Sequence, residues 1–211
     1  MTDLNNKRLG EILKNINSNP QTKELYESKW HKTVNFLYNN TGLKIAEVGK
    51  SGSQGKLTGL RDSDLDLIFR TPKDYNVNEM LEFLDDKAYE AFGDVAEIGH
   101  SQKAVHIDYY TPECDVDLVN LTNQKFSKER KKIQTIKRLP QVKRDSIKLA
   151  KYAMDNARIK TVEGHEIEKA CLHFQYNSLV EYTLHSIRHF TGRIKKAGST
   201  LNHVQPLVLI L

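Results

Sequence analysis

The chain has little cysteine, a single tryptophan and no long apolar run. Only Cys114 and Cys171 occur in 211 residues, too few and too far apart for a disulfide framework, which points to a reducing cytosol. No apolar stretch approaches the ~18–20 residues that cross a bilayer. The opening MTDLNNKRLGEI has no apolar signal-peptide core. A cytoplasmic protein with no membrane partner is therefore expected. There is no internal repeat and no low-complexity tract. A hydrophobic content of 38% with 28% charged residues excludes a disordered polyelectrolyte and fits a globular chain of one or two domains.

What the chain does have is an uneven charge. Of its net +5, residues 125–151 alone hold 11 basic and two acidic side chains, a local +9 that leaves −4 for the remainder. A solvated helix face explains many such runs. Here so few acids are interspersed that a phosphate-facing surface is an equal alternative, with RNA, DNA or a triphosphate as its target.

Apolar periodicity locates the elements. Leu9, Ile12, Leu13 and Ile16 recur at helical spacing before Asn17-Ser18-Asn19-Pro20, and Tyr26, Trp30, Val34 and Leu37 form a second stripe closed by residues 39–42. Trp30 is read as core. The period then changes to two, predicting strands at Leu43–Val48 and Leu65–Phe69 around a Gly/Ser-rich loop, 49–63. Asn76-Val77-Asn78-Glu79 resembles a capping box ahead of a helix through Ala91. Strands are expected over 104–110 and 115–121, with a short one at Val95–Ile98.

From Phe126 onward the pattern is helical, with stripes at Ile147, Ala150, Met154 and Ala157, at Ile167, Ala170, Cys171 and Phe174, and at Val180, Leu184 and Ile187. The fold class is thus α+β: a small mixed β-sheet with helices on one face, residues 1–125, then an α-helical subdomain, 126–211. The apolar run Val204–Leu211 is expected either to pack back on the helices or to mark a fragment.

The chemistry concentrates in Gly52-Ser53, Asp64-Leu65-Asp66 and Asp117. Strand side chains alternate, so Asp64 and Asp66 share one face while Leu65 and Leu67 enter a core. Paired carboxylates repel unless a cation neutralises them, and hard oxygen donors suit Mg²⁺ or Mn²⁺. The plain alternative is the wet face of an antiparallel sheet. Aspartate is disfavoured in strands, however, and DLDLIF carries it twice on one face directly after a glycine-rich loop. A third carboxylate comes from Asp115 or Asp117, which share a face. Asp117 is favoured because Leu118 and Val119 embed it, whereas Asp115 lies nearer a turn.

The loop also invites a P-loop reading through Gly49-Lys50-Ser51. That motif needs a glycine five residues before Gly49, where Lys44 stands. What remains is an anion-binding turn in which Ser53, backbone amides and Thr58 hold phosphate oxygens. His185 and His189, at i and i+4, have zinc-ligand spacing but no third ligand nearby. Cys114 is read as a packed thiol.

Gly52-Ser53, Asp64-Leu65-Asp66-Leu67 and Val116-Asp117-Leu118 together resemble the signature of the DNA polymerase β nucleotidyltransferase superfamily. GSQGKLTGLRDSDLDL is most similar to its oligoadenylate synthase and bacterial cyclic-oligonucleotide synthase group. The hairpin AVHIDYY to CDVDLV is similar to that group's third-carboxylate strands, and Lys148–Tyr152 to its triphosphate-contacting helix, best matched at Lys151. The resemblance runs through residues 43–121 and on to about 175.

It implies two-metal phosphoryl transfer with antiviral defence as a setting. Asp64 and Asp66 would bridge two Mg²⁺ ions and Asp117 would hold the one at the acceptor ribose hydroxyl. Pyrophosphate would leave toward Ser53 and Lys151 from an NTP, with ATP the first expectation. Three functions compete: a synthase of oligonucleotide or cyclic-nucleotide messengers, a transferase modifying an RNA 3′-end or another acceptor, and a catalytically silent nucleic-acid-binding homologue.

Overall fold

The computed structural model describes residues 2–156, 163–173, 179, 181 and 183–185. Ala157, Phe174, Val180, Ile187, His189 and the run 204–211, singled out in the sequence, lie outside the described residues. Contacts divide the chain into two units, Ser18–Thr135 and a second made of Met1–Asn17 with the chain from Ile136 onward. The first helix is therefore grouped with the later helices, whereas the periodicity had placed it with residues 18–125.

The first unit is built on a five-stranded mixed sheet. Its strands are β1 (Glu47–Lys50), β2 (Leu65–Arg70), β3 (Ala96–His100), β4 (Val105–Tyr110) and β5 (Glu113–Asn120), in the order β1-β2-β5-β4-β3. Only β2 and β5 run parallel. The first strand starts at Glu47 rather than Leu43, and residues 43–46 approach it as irregular chain.

Period-two alternation sends Leu65, Leu67 and Phe69, Val105, Ile107 and Tyr109, and Cys114, Val116 and Leu118 into one core. That core is closed by α2 (Pro20–Asn39) and α4 (Val77–Phe92) through Tyr26, Phe36, Leu37, Met80, Leu81 and Leu84. Both helices start as their sequences dictate. Asn19 accepts from the Thr22 N–H at 2.7 Å ahead of Pro20, and Asn76 accepts from the Asn78 N–H at 3.0 Å.

Helices do not lie on one face only, as the sequence had suggested. α5 (Asn123–Lys137) sets Phe126 and Ile133 against Ile68 on the opposite face, with Val119 and Leu121 alongside. Ile68 and its register partner Val119 are apolar on this face, and α5 is what they are apolar for. The remainder of that face carries the acids.

In the second unit, α1 (Thr2–Ile16) packs with α6 (Gln141–Asn156), and α6 with α7 (Gly164–His173). Ile147, Ala150, Met154, Ile167 and Cys171 form its buried cluster, which matches the stripes read from the sequence. Among the described residues no helix is long and apolar enough to cross a membrane.

Candidate active site

The site begins at a turn. β1 ends at Lys50, the Ser51 N–H donates to the Asp66 carbonyl at 2.8 Å, and residues 52–55 close one helical turn, α3 (Gly52–Gly55). Gly52 has φ +52, and a Cβ there would collide with the Asp66 carboxylate. Both facts demand glycine. Ser53 is half-buried, and its carbonyl accepts from the Thr58 N–H at 3.0 Å. Thr58 itself is wholly buried, so it shapes the turn from inside rather than presenting a hydroxyl at its surface.

The loop then returns to β2 under restraint. The Tyr26 hydroxyl lies 2.8 Å from the Arg61 carbonyl and 2.7 Å from the Ser63 carbonyl, and the Leu60 N–H donates to Ser63 Oγ at 2.9 Å. These bonds deliver the chain to Asp64, one residue before β2.

Register decides which acids meet. Parallel pairing of β2 with β5 sets Asp66 opposite Asp117. Antiparallel pairing of β5 with β4 sets Asp117 opposite His106 and Asp115 opposite Asp108. Asp108 in turn faces Glu97 on β3. The face opposite the core thus carries one row, Asp66–Asp117–His106, and beside it a second, Asp115–Asp108–Glu97, with Asp64 at its β2 end. His106 Nδ1 lies 2.6 Å from Asp117 Oδ1.

Electrostatics report the crowding. Asp66 is pushed up from the ordinary carboxylate value to about 6, first by burial and then by the charges of Asp117 and Asp64, while Lys56 opposes. Asp64 is raised by burial and by Asp117, Asp115 and Asp108. Asp108 is raised by burial and by Asp115, with His106 opposing. Cys114, on the core side, is a buried thiol held up at about 11, first by burial.

Such a donor set, hard oxygens whose crowded negative charge Lys56 opposes only in part, fits a divalent cation of the Mg²⁺ class. Among the described residues, no three or more His, Cys, Asp or Glu side chains stand in a group that could hold a metal ion as they are placed.

Of the residues singled out in the sequence, the fold brings Gly52, Asp66 and Asp117 together, with Asp64 near enough to perturb Asp66 and Ser53 one residue along the same turn. Lys151 belongs to the second unit, where it pairs with the buried Glu168 at 2.8 Å. The basic stretch divides by role. Lys125, Lys128 and Lys131 are exposed, whereas Arg130 pairs with Glu47, Arg144 donates to the Lys137 carbonyl and Lys148 to Asn17. Site roles for His106, Asp108 and the Tyr26 hydroxyl, and the pairing of Glu168 with Lys151, were not read from the sequence. Alternation in VHIDYY would have put His106 and Asp108 on one face, but not opposite Asp117 and Asp115.

No family model matches the chain, and no curated protein does. Solved structures do. The CD-NTase CdnG of Bradyrhizobium diazoefficiens, in complex with GTP, is 14% identical with a TM-score of 0.69 over 90% of this chain and 76% of that one. The CdnE cyclic dinucleotide synthase of Elizabethkingia meningoseptica, with GTP and Apcpp, is 13% identical with a TM-score of 0.62, over 94% and 89%. The Cid1 poly(U) polymerase, with Mg and 3′-dATP bound, is 14% identical with a TM-score of 0.56, over 73% of this chain and 48% of that one. The α+β fold expected from the sequence is the fold observed, and it is shared with these solved structures.

Proposed function

We propose that the chain is a divalent-metal-dependent nucleotidyltransferase that moves a nucleoside monophosphate from an NTP to a ribose hydroxyl, with release of pyrophosphate. An oligonucleotide or cyclic nucleotide is its product. The observation that carries this reading is the placement of Asp66 opposite Asp117, beside Asp64, against a turn at which only Gly52 fits. ATP is the first candidate substrate, and Mg²⁺ or Mn²⁺, as two ions, the first candidate cofactor.

Asp64, Asp66 and Asp117 would hold the metal. Bound divalent ions would neutralise the triphosphate and favour ionisation of the attacking hydroxyl. The residues of the chain supply the rest. Gly52 lets the backbone approach the phosphates, and Ser53 offers a hydroxyl and an amide to their oxygens. Lys151 is carried over to the triphosphate from the motif alone. The Tyr26 tether holds the loop that leads into Asp64. Positioning and charge compensation, rather than covalent chemistry, then lower the barrier.

A second reading, transfer to an RNA 3′-end, is favoured by the exposed Lys125, Lys128 and Lys131 and by the fold shared with a poly(U) polymerase. Incubation with Mg²⁺ or Mn²⁺ and each labelled NTP, with and without RNA or DNA, separates the two. Short soluble oligonucleotides or cyclic products support the first, and label on added RNA the second. If no NTP is consumed under any condition, the enzymatic reading fails.

A further inference from the structure

We propose that His106 is a positioning residue for Asp117 and that it sets the affinity of the carboxylate site for a divalent cation. The inference rests on the metal-dependent reading above and extends it to a residue outside the carboxylate signature.

The geometry is cross-strand. In one row over the face opposite the core lie Gly99, His106, Asp117 and Asp66, each the register partner of the next. His106 therefore touches Asp117 from the β4 side, and Asp66 flanks Asp117 from the β2 side. The Nδ1 to Oδ1 distance of 2.6 Å is that of a charge-assisted hydrogen bond. With side chains 35% and 27% exposed, the pair is sheltered enough for the bond to persist.

A carboxylate only accepts, so the ring nitrogen carries the proton. The terminal torsion of an aspartate is broad and close to two-fold, so tying down Oδ1 removes that freedom and leaves Oδ2 for a cation. On β3 the register partner of His106 is Gly99, which brings no side chain to the imidazole.

The test is Mn²⁺ titration of the purified chain, read by the paramagnetic resonance of free Mn²⁺, for the parent and for His106→Ala, His106→Asn, His106→Gln and Asp66→Asn, each checked for folding by thermal melt. Loss of a hydrogen-bond partner behind a metal ligand weakens binding about 10- to 100-fold, and that is expected for His106→Ala. His106→Asn places an amide N–H near the Nδ1 position and is expected to stay within a few-fold of the parent. His106→Gln places its amide one bond further out and is expected to behave like alanine, which keeps the test open if the alanine variant does not fold.

Parent-like binding by a folded His106→Ala or His106→Gln overturns the proposal, as does a folded His106→Asn no better than alanine. Weakened binding in Asp66→Asn alongside parent-like His106→Ala removes only the role of His106. If the parent binds no Mn²⁺, or Asp66→Asn binds as the parent does, the metal reading falls and the proposal with it.

Discussion

Asp66 and Asp117 are register partners on the two parallel strands of an otherwise antiparallel sheet. A β-strand pair places directly opposed side chains about 4.5–5.5 Å apart, and like charges so opposed destabilise. The fold accepts that cost at its centre and adds Asp64 to it.

Substitution of this pair is the most direct prediction. Asp66→Asn or Asp117→Asn is expected to lower pyrophosphate release from an NTP by about 10³-fold or more, roughly 4 kcal/mol of transition-state stabilisation. Each variant should melt no lower than the parent in the absence of metal, since each relieves repulsion. A variant that keeps parent-like turnover would remove that residue from the machinery.

Burial of Asp66, and after it the same repulsion, gives a pH dependence to the metal-free protein. Asp66 has a folded value of about 6, against an ordinary 3.8, so the folded state keeps a proton that the unfolded chain releases. Its contribution to stability is full below about pH 4 and is lost as pH rises through 6. In EDTA the unfolding free energy of the parent, measured by chemical denaturation, should therefore fall over this window relative to Asp66→Asn, by an amount on the order of 1–3 kcal/mol. Added Mg²⁺ or Mn²⁺ at pH 7 should restore the parent and leave Asp66→Asn largely unchanged.

Gly52→Ala tests the turn. The left-handed backbone alone costs a non-glycine residue about 1–2 kcal/mol, and the new Cβ would strike the Asp66 carboxylate. A lower melting temperature together with a loss of NTP turnover larger than the loss of folded protein is expected, because the methyl group displaces a carboxylate of the site itself.

Tyr26→Phe removes a hydroxyl that meets two carbonyls of the loop before Asp64. Stability should drop by about 1 kcal/mol. Turnover should fall further than binding, since a loosened loop misplaces Asp64 without touching the nucleotide. Equal activity in the folded variant would show that the tether serves stability alone.

In the second unit, Glu168 is buried against Lys151. Glu168→Ala leaves a sheltered ammonium without that carboxylate and is expected to cost about 3–5 kcal/mol, read by chemical denaturation.

Much of this was written locally. Alternation in DLDLIF and CDVDLV told which residues leave the core, and Asn76 marked a helix start, because period and capping depend on near neighbours. The first strand was misplaced by several residues, since residues 43–46 are apolar enough for a strand but reach β2 through one bond, from the Ala46 N–H to the Arg70 carbonyl at 2.9 Å. α5 was not expected on the acidic face because Ile68, Phe126 and Ile133 are far apart in the chain and only packing joins them.

By itself, then, the sequence determined the glycine turn, the acids, their shared faces and the resemblance they support. Only the tertiary structure decided which acid stands opposite which. Asp115 and Asp117 are equivalent under a period of two. Register makes the choice: between β2 and β5, about fifty residues apart, it sets Asp66 beside Asp117, and across the β4–β5 hairpin it brings Asp108 to Asp115 and His106 to Asp117. Register is a non-local property, set by how the whole sheet buries its other face.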